Sequence, residues 1–356
     1  MNSTNCGLRI ADCGLARAGA CEPFRPRKGF LAMSKTLLVA MSALTLAAAL
    51  LAGTMARSRE WPGLAAPSGR IAETELLHKA AGAGILARQA EDCLRRMKLA
   101  AGVARDPALG AADSAWIGAE LTPLVTTLGS LEAKRASSSP DWARVLTIRL
   151  YHHGVRSGSV VAAGYSGSFP ALNLALAAAC QALGADLIAI TSVTASTWGA
   201  TQPGFTWPEI EVRLVQEGII RRVSAAVTAG GQGDAALDLE PEARLLAWKI
   251  LESCALALGA QIIAPSSLQD SIAERLRIYR EHARDRRIVL YVNIGGTEAS
   301  MGASAASFRI RSGFIPPEPF DLSPERGVIA RLADRGVPTL SLLNIEDLAF
   351  RWGVLR

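Results

Sequence analysis

The sequence has little of three things that would narrow its function: aromatic side chains, histidines and a concentrated positive charge. Aromatics make up 5% of the 356 residues, and there are four histidines. The formal net charge is +6, but residues 1–32 hold +3 and residues 33–60 hold +2, which leaves +1 for the rest. Nucleic-acid binding needs a basic face, and the body of this chain is almost neutral. Nucleic acid is therefore not an expected partner.

Cysteines are also few, and their spacing excludes a disulfide framework or a zinc site. Three of the six lie within residues 1–32, where they form neither a C-x-x-C pair nor a zinc pattern. Cys93, Cys180 and Cys254 each stand in an apolar helical context. We expect these three to pack as small hydrophobic side chains, and we expect no metal site.

One long uncharged run is present near the amino terminus. Residues 36–56 contain no charged side chain, and at 1.5 Å per residue a helix of that length spans about 31 Å, the thickness of a bilayer core. Lys35 precedes the run, and Arg57 and Arg59 follow it. The pattern predicts a single-pass signal anchor over residues 33–60, with cleavage after the run as the alternative. Met33 is the expected start, which makes residues 1–32 an upstream extension without a folded role.

Positive residues on both flanks leave the orientation of this anchor open. We expect the following domain to lie outside the cytoplasm. Residues 61–110 are predicted to form a Pro/Gly-rich hinge and then a helical stalk or packing helix over 71–103. Its apolar stripe follows a four-three-four spacing, as expected for a helix with one buried face: Leu86, Ala90, Cys93 and Met97.

From residue 111 onward, apolar helical segments alternate with short runs rich in β-branched residues. The helices are predicted at 142–152, 169–183, 208–218, 241–258, 268–283 and 324–335. The strands are predicted at 160–163, 186–191, 223–228, 262–263, 288–294 and 339–343. Such alternation is typical of a parallel sheet covered by helices. The expected fold class is α/β, a three-layer Rossmann-like domain with a mostly parallel sheet.

Ligands bind open parallel sheets beyond the carboxyl ends of the strands, where this sequence has three glycine-rich loops. The first contains Ser166, Gly167 and Ser168 before a helix that begins near Pro170. Free backbone amides and two hydroxyls there predict an anion site. The loop nearly matches the G-x-S-x-G elbow of serine hydrolases, so Ser166 and Ser168 are candidate nucleophiles. His282 alone follows in the order that a Ser-acid-His triad needs, and its charged surroundings disfavour that triad.

The second loop, 230–234, ends in Asp234, and the third, 293–298, brings further polar groups. The candidate ligand contacts of the third loop are Asn293, Gly295, Gly296 and Glu298. Because all three loops follow strands predicted to be parallel, we expect them to open on one edge and to line one pocket. Lys134 and Arg135 are expected near its mouth, where they would bind a carboxylate. Neither G-x-G-x-x-G nor a Walker motif is present, and we expect no cofactor.

Several of these blocks together resemble one known family. From about residue 111 to the carboxyl end, the chain is similar to the poly-gamma-glutamate system proteins, bacterial membrane proteins associated with making capsular γ-linked polyglutamate. The blocks are LTP at 121–123, TTLGSLEAKR at 126–135, SGSFPAL at 166–172, FTW at 205–207, VNIGG at 292–296, PERG at 324–327 and LNIEDLA at 343–349. The resemblance implies a process rather than a reaction, and a partnership with the polymer synthase and export machinery.

The sequence leaves two functions open. The first is a membrane-anchored accessory protein that binds glutamyl carboxylates or the synthase complex. The second is a γ-glutamyl hydrolase or transferase that uses a serine of the 164–169 loop, with Lys134 as base if that lysine is buried and deprotonated.

Overall fold

The computed structural model describes residues 71–103, 109, 114–221, 224–284 and 286–354. The predicted extension at 1–32, the predicted anchor at 33–60 and the predicted hinge before residue 71 lie outside these residues. Among the described helices, none combines the length and the apolar character needed to cross a bilayer.

The described residues form an alternating series of helices and strands. The helices are α1 (Glu73–Ala100), α2 (Leu131–Ser137), α3 (Asp141–His152), α4 (Pro170–Leu183), α5 (Trp207–Gln216), α6 (Pro241–Leu258), α7 (Leu268–Ala283), α8 (Glu298–Met301), α9 (Val328–Ala333) and α10 (Ile345–Arg351). The strands are β1 (Val125–Thr127), β2 (Val160–Gly164), β3 (Asp186–Ser192), β4 (Ala195–Ser196), β5 (Ala226–Thr228), β6 (Gln261–Ile262), β7 (Ile288–Ile294), β8 (Gly313–Ile315) and β9 (Thr339–Leu342).

Seven of these strands form one sheet in the order β6-β5-β3-β2-β7-β9-β8. Every neighbouring pair is parallel except β8 with β9, which is antiparallel. The α/β class and the mostly parallel sheet are therefore confirmed, and they are compatible with a Rossmann-like fold. β1 and β4 form a separate parallel pair beyond the end of β3.

Helices cover both faces of the sheet, and alternate residues of each strand face opposite layers. In β2, Val161 and Ala163 belong to the core shared with α1, α3, α4 and α10, whereas Val160 and Ala162 belong to the core shared with α7 and α9. Because both faces are buried, the central strands are nearly continuous apolar runs, as the sequence pattern indicates.

Helix α1 packs against the sheet domain rather than standing away from it. Its buried residues lie on one face and join the core formed with α3 and α4. Ala90 and Cys93 of the predicted stripe are buried, and Leu86 and Met97 pack against the same core.

Gly82 on α1 offers a test of this packing. A Cβ added at Gly82 meets no atom within 4 Å, whereas one added at Gly84 lies 2.7 Å from Cγ of Arg144. Glycine weakens a helix by about 0.5–1 kcal/mol relative to alanine. We expect Gly82→Ala to raise the free energy of unfolding in urea by about that amount. Gly84→Ala is the matched comparison and is expected to gain less, because Arg144 must shift; equal gains would contradict the packing of α1 on α3.

Candidate functional site

The three glycine-rich loops lie at one edge of the sheet, as the parallel order requires. They follow β2, β5 and β7, which run in the same direction. A Cβ added at Gly295 would lie 3.1 Å from Cβ of Ser166, so the first and third loops are in contact. The Gly233 amide donates to Oε2 of Glu298 at 2.8 Å, which joins the second loop to the third.

The expected shared pocket between these loops has no counterpart among the cavities described. A cavity of about 660 Å³ lies at the opposite edge, near the starts of β3 and β5, with Asp186 and Ser224 in its wall. A second, of about 240 Å³, lies beside the end of α1, with Lys98 and Ala115 in its wall. The loops are packed against one another, and the least buried part of the first loop is the region around Ser168.

Lys134 lies at this edge and points inward. It stands on α2, which begins at the cap formed when the Ser130 side chain accepts a hydrogen bond from the Ala133 amide. The residue is 3% exposed. Its Nζ donates to the carbonyl oxygen of Ser168 at 2.6 Å and to Oγ of Ser196 at 2.7 Å. The ring centroid of Phe169 lies 4.4 Å from Nζ.

Burial changes the protonation of Lys134. Desolvation disfavours the ammonium form and lowers the pKa of Lys134 to about 7. Its contacts are a carbonyl, a hydroxyl and an aromatic face, and these do not replace the water that the charge loses. A lysine with this pKa is neutral in a large fraction of molecules at neutral pH, so it can accept a proton.

Two hydroxyls connect Lys134 to the surface of the loop. Oγ of Ser196 lies 2.7 Å from Nζ of Lys134 and 3.0 Å from Oγ of Ser168. The Ser196 amide also donates to Oγ of Ser168 at 3.1 Å. Ser196 is buried, whereas Ser168 is half-buried. The three side chains form a continuous hydrogen-bonded chain from the interior to the half-buried end of the loop.

Ser166, the other candidate nucleophile, is held inside the loop. It is 4% exposed, and its Oγ accepts a hydrogen bond from the Ser168 amide at 3.1 Å. Its carbonyl oxygen accepts from Nδ2 of Asn173 at 2.9 Å. Gly167 packs against the segment that follows β3, where its carbonyl accepts from the Ala200 amide at 2.8 Å. Ser166 and Gly167 thus shape the loop that presents Ser168.

Ser196 is the residue that sequence reasoning missed. It ends β4, a two-residue strand that pairs with β1. The segment after it is fixed by two hydrogen bonds, from the Thr197 amide to the Thr127 carbonyl and from the Gly129 amide to Oγ1 of Thr197. Trp198, in the same segment, has φ of 63°, which is strained for a bulky residue. Strained backbone conformations of this kind cluster at functional sites. The three hydroxyl residues at positions 194, 196 and 197 were the signal available in the sequence.

Asp234 belongs to a buried network of hydrogen bonds. Its Oδ2 accepts from Nη2 of Arg275 at 2.7 Å and from Oγ of Ser271, and its Oδ1 accepts from Oγ1 of Thr228 at 2.9 Å. The side chains of Asp234 and Arg275 are each 2% exposed. Both carboxylate oxygens are therefore engaged within the protein, and Asp234 joins the second loop to α7 instead of facing a ligand.

The polar groups of the third loop also form hydrogen bonds within the protein. Asn293 is fully buried and donates from Nδ2 to the Gly295 carbonyl at 2.8 Å. Gly295 has φ of 81°, a conformation that favours glycine, and Gly296 is exposed. Glu298 is half-buried at the start of α8, where it accepts the bond from the Gly233 amide. These residues tie the loops together, and Gly296 is the one that reaches the surface.

Arg135 does not join Lys134 in the interior. It follows Lys134 on α2, so it points in a different direction, and its side chain is 42% exposed. Its Nη1 lies 4.0 Å from Oε1 of Glu132. The side chain of Arg135 therefore lies at the surface, whereas that of Lys134 is buried.

Comparison with known proteins adds no relative. No family model, no curated protein and no solved structure matches the chain.

Proposed function

We propose that the protein is a membrane-anchored component of poly-γ-glutamate biosynthesis or export whose α/β domain binds glutamyl groups at the carboxyl edge of the sheet. The observation that carries the proposal is the chain from buried Lys134 through Ser196 to half-buried Ser168, which places polar groups at the point where ligands approach an open parallel sheet. Exposed Arg135 adds a carboxylate-binding guanidinium nearby.

The cellular setting of this proposal comes from the sequence. The blocks at 126–135 and 166–172 that resemble poly-gamma-glutamate system proteins contain Lys134, Ser166 and Ser168. The uncharged run at 36–56 supports an anchor, and a domain outside the cytoplasm would meet the polymer as it leaves the synthase. The proposed partners are the synthase or export machinery, the membrane and a glutamyl carboxylate.

A binding experiment tests this function. Full-length protein in detergent is titrated with γ-linked polyglutamate, with α-linked polyglutamate of equal length and charge as the control polymer. We expect tighter binding of the γ-linked chain, and affinity that falls with salt because exposed charges contribute. Arg135→Ala is expected to weaken binding by about 3- to 10-fold.

Arg144→Ala is the matched control variant, because Arg144 is also exposed and paired with an acid three residues away, but on α3. It is expected to bind like the unaltered protein. Equal affinity for the two polymers, or equal losses in both variants, would contradict the proposal and leave only non-specific attraction between charges.

The second candidate is a γ-glutamyl hydrolase or transferase that uses a serine of the first loop. It is favoured by a specific observation, the burial of Lys134 and the lowering of its pKa to about 7, which supplies the base that the sequence otherwise lacks.

A further inference from the structure

We propose that Ser168 is the nucleophile of an acyl-transfer site in which Ser196 passes the proton of Ser168 to Lys134. The inference deepens the proposed function, because it assigns a reaction to the same site and names amide carbonyls of the γ-glutamyl type as the substrate class. It rests on the geometry of three side chains from three different parts of the fold: Lys134 on α2, Ser196 on β4 and Ser168 in the loop after β2.

The hydrogen bonds of the three groups fit both protonation states. With Lys134 charged, Nζ donates to Ser196 and Ser196 donates to Ser168, over 2.7 and 3.0 Å. When Lys134 is neutral, it has two N–H donors and one lone pair. One N–H stays on the Ser168 carbonyl at 2.6 Å, and the lone pair accepts the Ser196 proton over the same distance. The direction of the chain then reverses, and Ser196 accepts the proton of Ser168.

Solvent exposure distinguishes Ser168 from Ser166 and Ser196. Ser166 and Ser196 are 4% and 8% exposed, whereas Ser168 is half-buried at the end of the loop, directly before the residue that caps α4. The nucleophile must reach a substrate carbonyl, whereas the base must stay away from water to keep a low pKa. Ser168 and Lys134 each meet the requirement of their role.

The charged groups near Lys134 do not dominate its titration. On α2, Glu132 and Arg135 pair with each other at the surface. From α10, Glu346 reaches Oγ of Ser130 at 3.2 Å, and it is exposed. From β4 and from the first loop, Lys134 meets hydroxyl and carbonyl groups and the Phe169 ring. Burial is therefore the cause of the low pKa, and the neutral form becomes the main one above about pH 7.

The reaction balances with an amide and water or an amine as its only reactants. Oγ of Ser168 attacks the carbonyl carbon while its proton passes to Ser196 and the Ser196 proton passes to Lys134. The carbon–nitrogen bond then breaks, the leaving amine takes a proton back through Ser196, and an ester remains on Ser168. Water or the amino group of another chain attacks this ester in the same manner, which releases Ser168 and gives hydrolysis or transfer.

A fluorophosphonate probe tests the nucleophile without any assumption about the substrate. Full-length protein in detergent is incubated with the probe, and the labelled serine is identified by peptide mass spectrometry. We expect labelling at Ser168, abolished in Ser168→Ala and slowed about 100-fold or more in Ser196→Ala and Lys134→Met. The labelling rate is expected to rise about tenfold per pH unit below pH 7 and to level off above it, because only neutral Lys134 accepts the proton.

Ser267→Ala and Lys249→Met are the control substitutions of the same types, since Ser267 caps α7 and Lys249 is exposed on α6, outside the chain of hydrogen bonds from Lys134 to Ser168. Both are expected to label like the unaltered protein. Ser196→Ala removes no buried charge, so it carries the test if thermal unfolding shows that Lys134→Met is unstable. Absence of labelling, labelling at another serine, or an unchanged rate in Ser196→Ala would overturn the proposal.

The outcome is separate from that of the proposed function. Polymer binding without labelling would support the proposed binding function and contradict the proposal that Ser168 is a nucleophile. Labelling of Ser168 without preferential binding of the γ-linked polymer would support the acyl-transfer site and contradict its assignment to polyglutamate. Cleavage or transfer of γ-linked chains by unaltered protein and not by Ser168→Ala would support both.

Discussion

Asp234→Ala should lower the free energy of unfolding by about 3–5 kcal/mol, the cost typical of removing one partner from a buried ion pair. Arg275 is then left 2% exposed with its guanidinium uncompensated. The hydroxyls of Ser271 and Thr228 lose their acceptor as well. The measurement is equilibrium unfolding in urea, followed by far-UV circular dichroism.

The Asp234→Ala, Arg275→Met double variant is the decisive comparison. It removes both charges and keeps much of the buried volume of the arginine stem, so we expect it to recover most of the loss. Asp347→Ala serves as the surface control, because its pair with Arg351 is exposed and should contribute no more than about 1 kcal/mol. A stable Asp234→Ala protein that loses polymer binding would instead return Asp234 to the role that the sequence predicted.

Gly118→Ala should break the hydrogen bonds between Ser196 and Ser168. A Cβ added at Gly118 would lie 2.0 Å from the carbonyl oxygen of Gly199, far inside any allowed contact. The two segments are also joined by backbone bonds, from the Gly118 amide to the Trp198 carbonyl and from the Trp198 amide to the Ala119 carbonyl. Relief of the clash must move the backbone that carries Ser196, two residues before Trp198.

We expect Gly118→Ala to slow fluorophosphonate labelling of Ser168 by about 10- to 100-fold, since a shift of about 1 Å is enough to misalign reacting groups. The overpacking is also expected to cost about 1–3 kcal/mol of stability. Gly82→Ala adds the same methyl group where no atom lies within 4 Å, and it should label normally. Normal labelling in Gly118→Ala would show that the position of Ser196 is not set by this contact.

Most of the sheet domain could be predicted from the sequence, because its elements have strong periodic signals and clear ends. Helices 241–258 and 268–283 and strand 288–294 were predicted with the observed bounds. The missed elements are short: β1, β4, α2, α8, β8 and α10 have two to seven residues. Segments of this length show too little periodicity, and their structure depends on partners distant in sequence.

The sheet edge at which the three loops gather was predictable from the sequence, and the direction of their side chains was not. The parallel order fixes the edge where the loops gather, and this follows from the strand pattern alone. The direction of a side chain does not follow from it: Lys134 and Arg135 are adjacent, yet one is buried and the other is exposed. Asp234 lies in a polar loop of the sequence, but its ion-pair partner Arg275 is 41 residues away. The sequence around Asp234 therefore does not show that this carboxylate is paired inside the protein. Ser196 is placed by β4, whose partner β1 was not predicted.

The two ends of the sheet are built to resist aggregation. β6 has two residues, and β8 has three and runs antiparallel to its neighbour. Short edge strands offer few unpaired amides and carbonyls to a strand from another molecule. Long open edges would favour intermolecular strand pairing wherever the local concentration of the domain is high. Edges as short as β6 and β8 leave little unpaired backbone for such pairing, even at high local concentration.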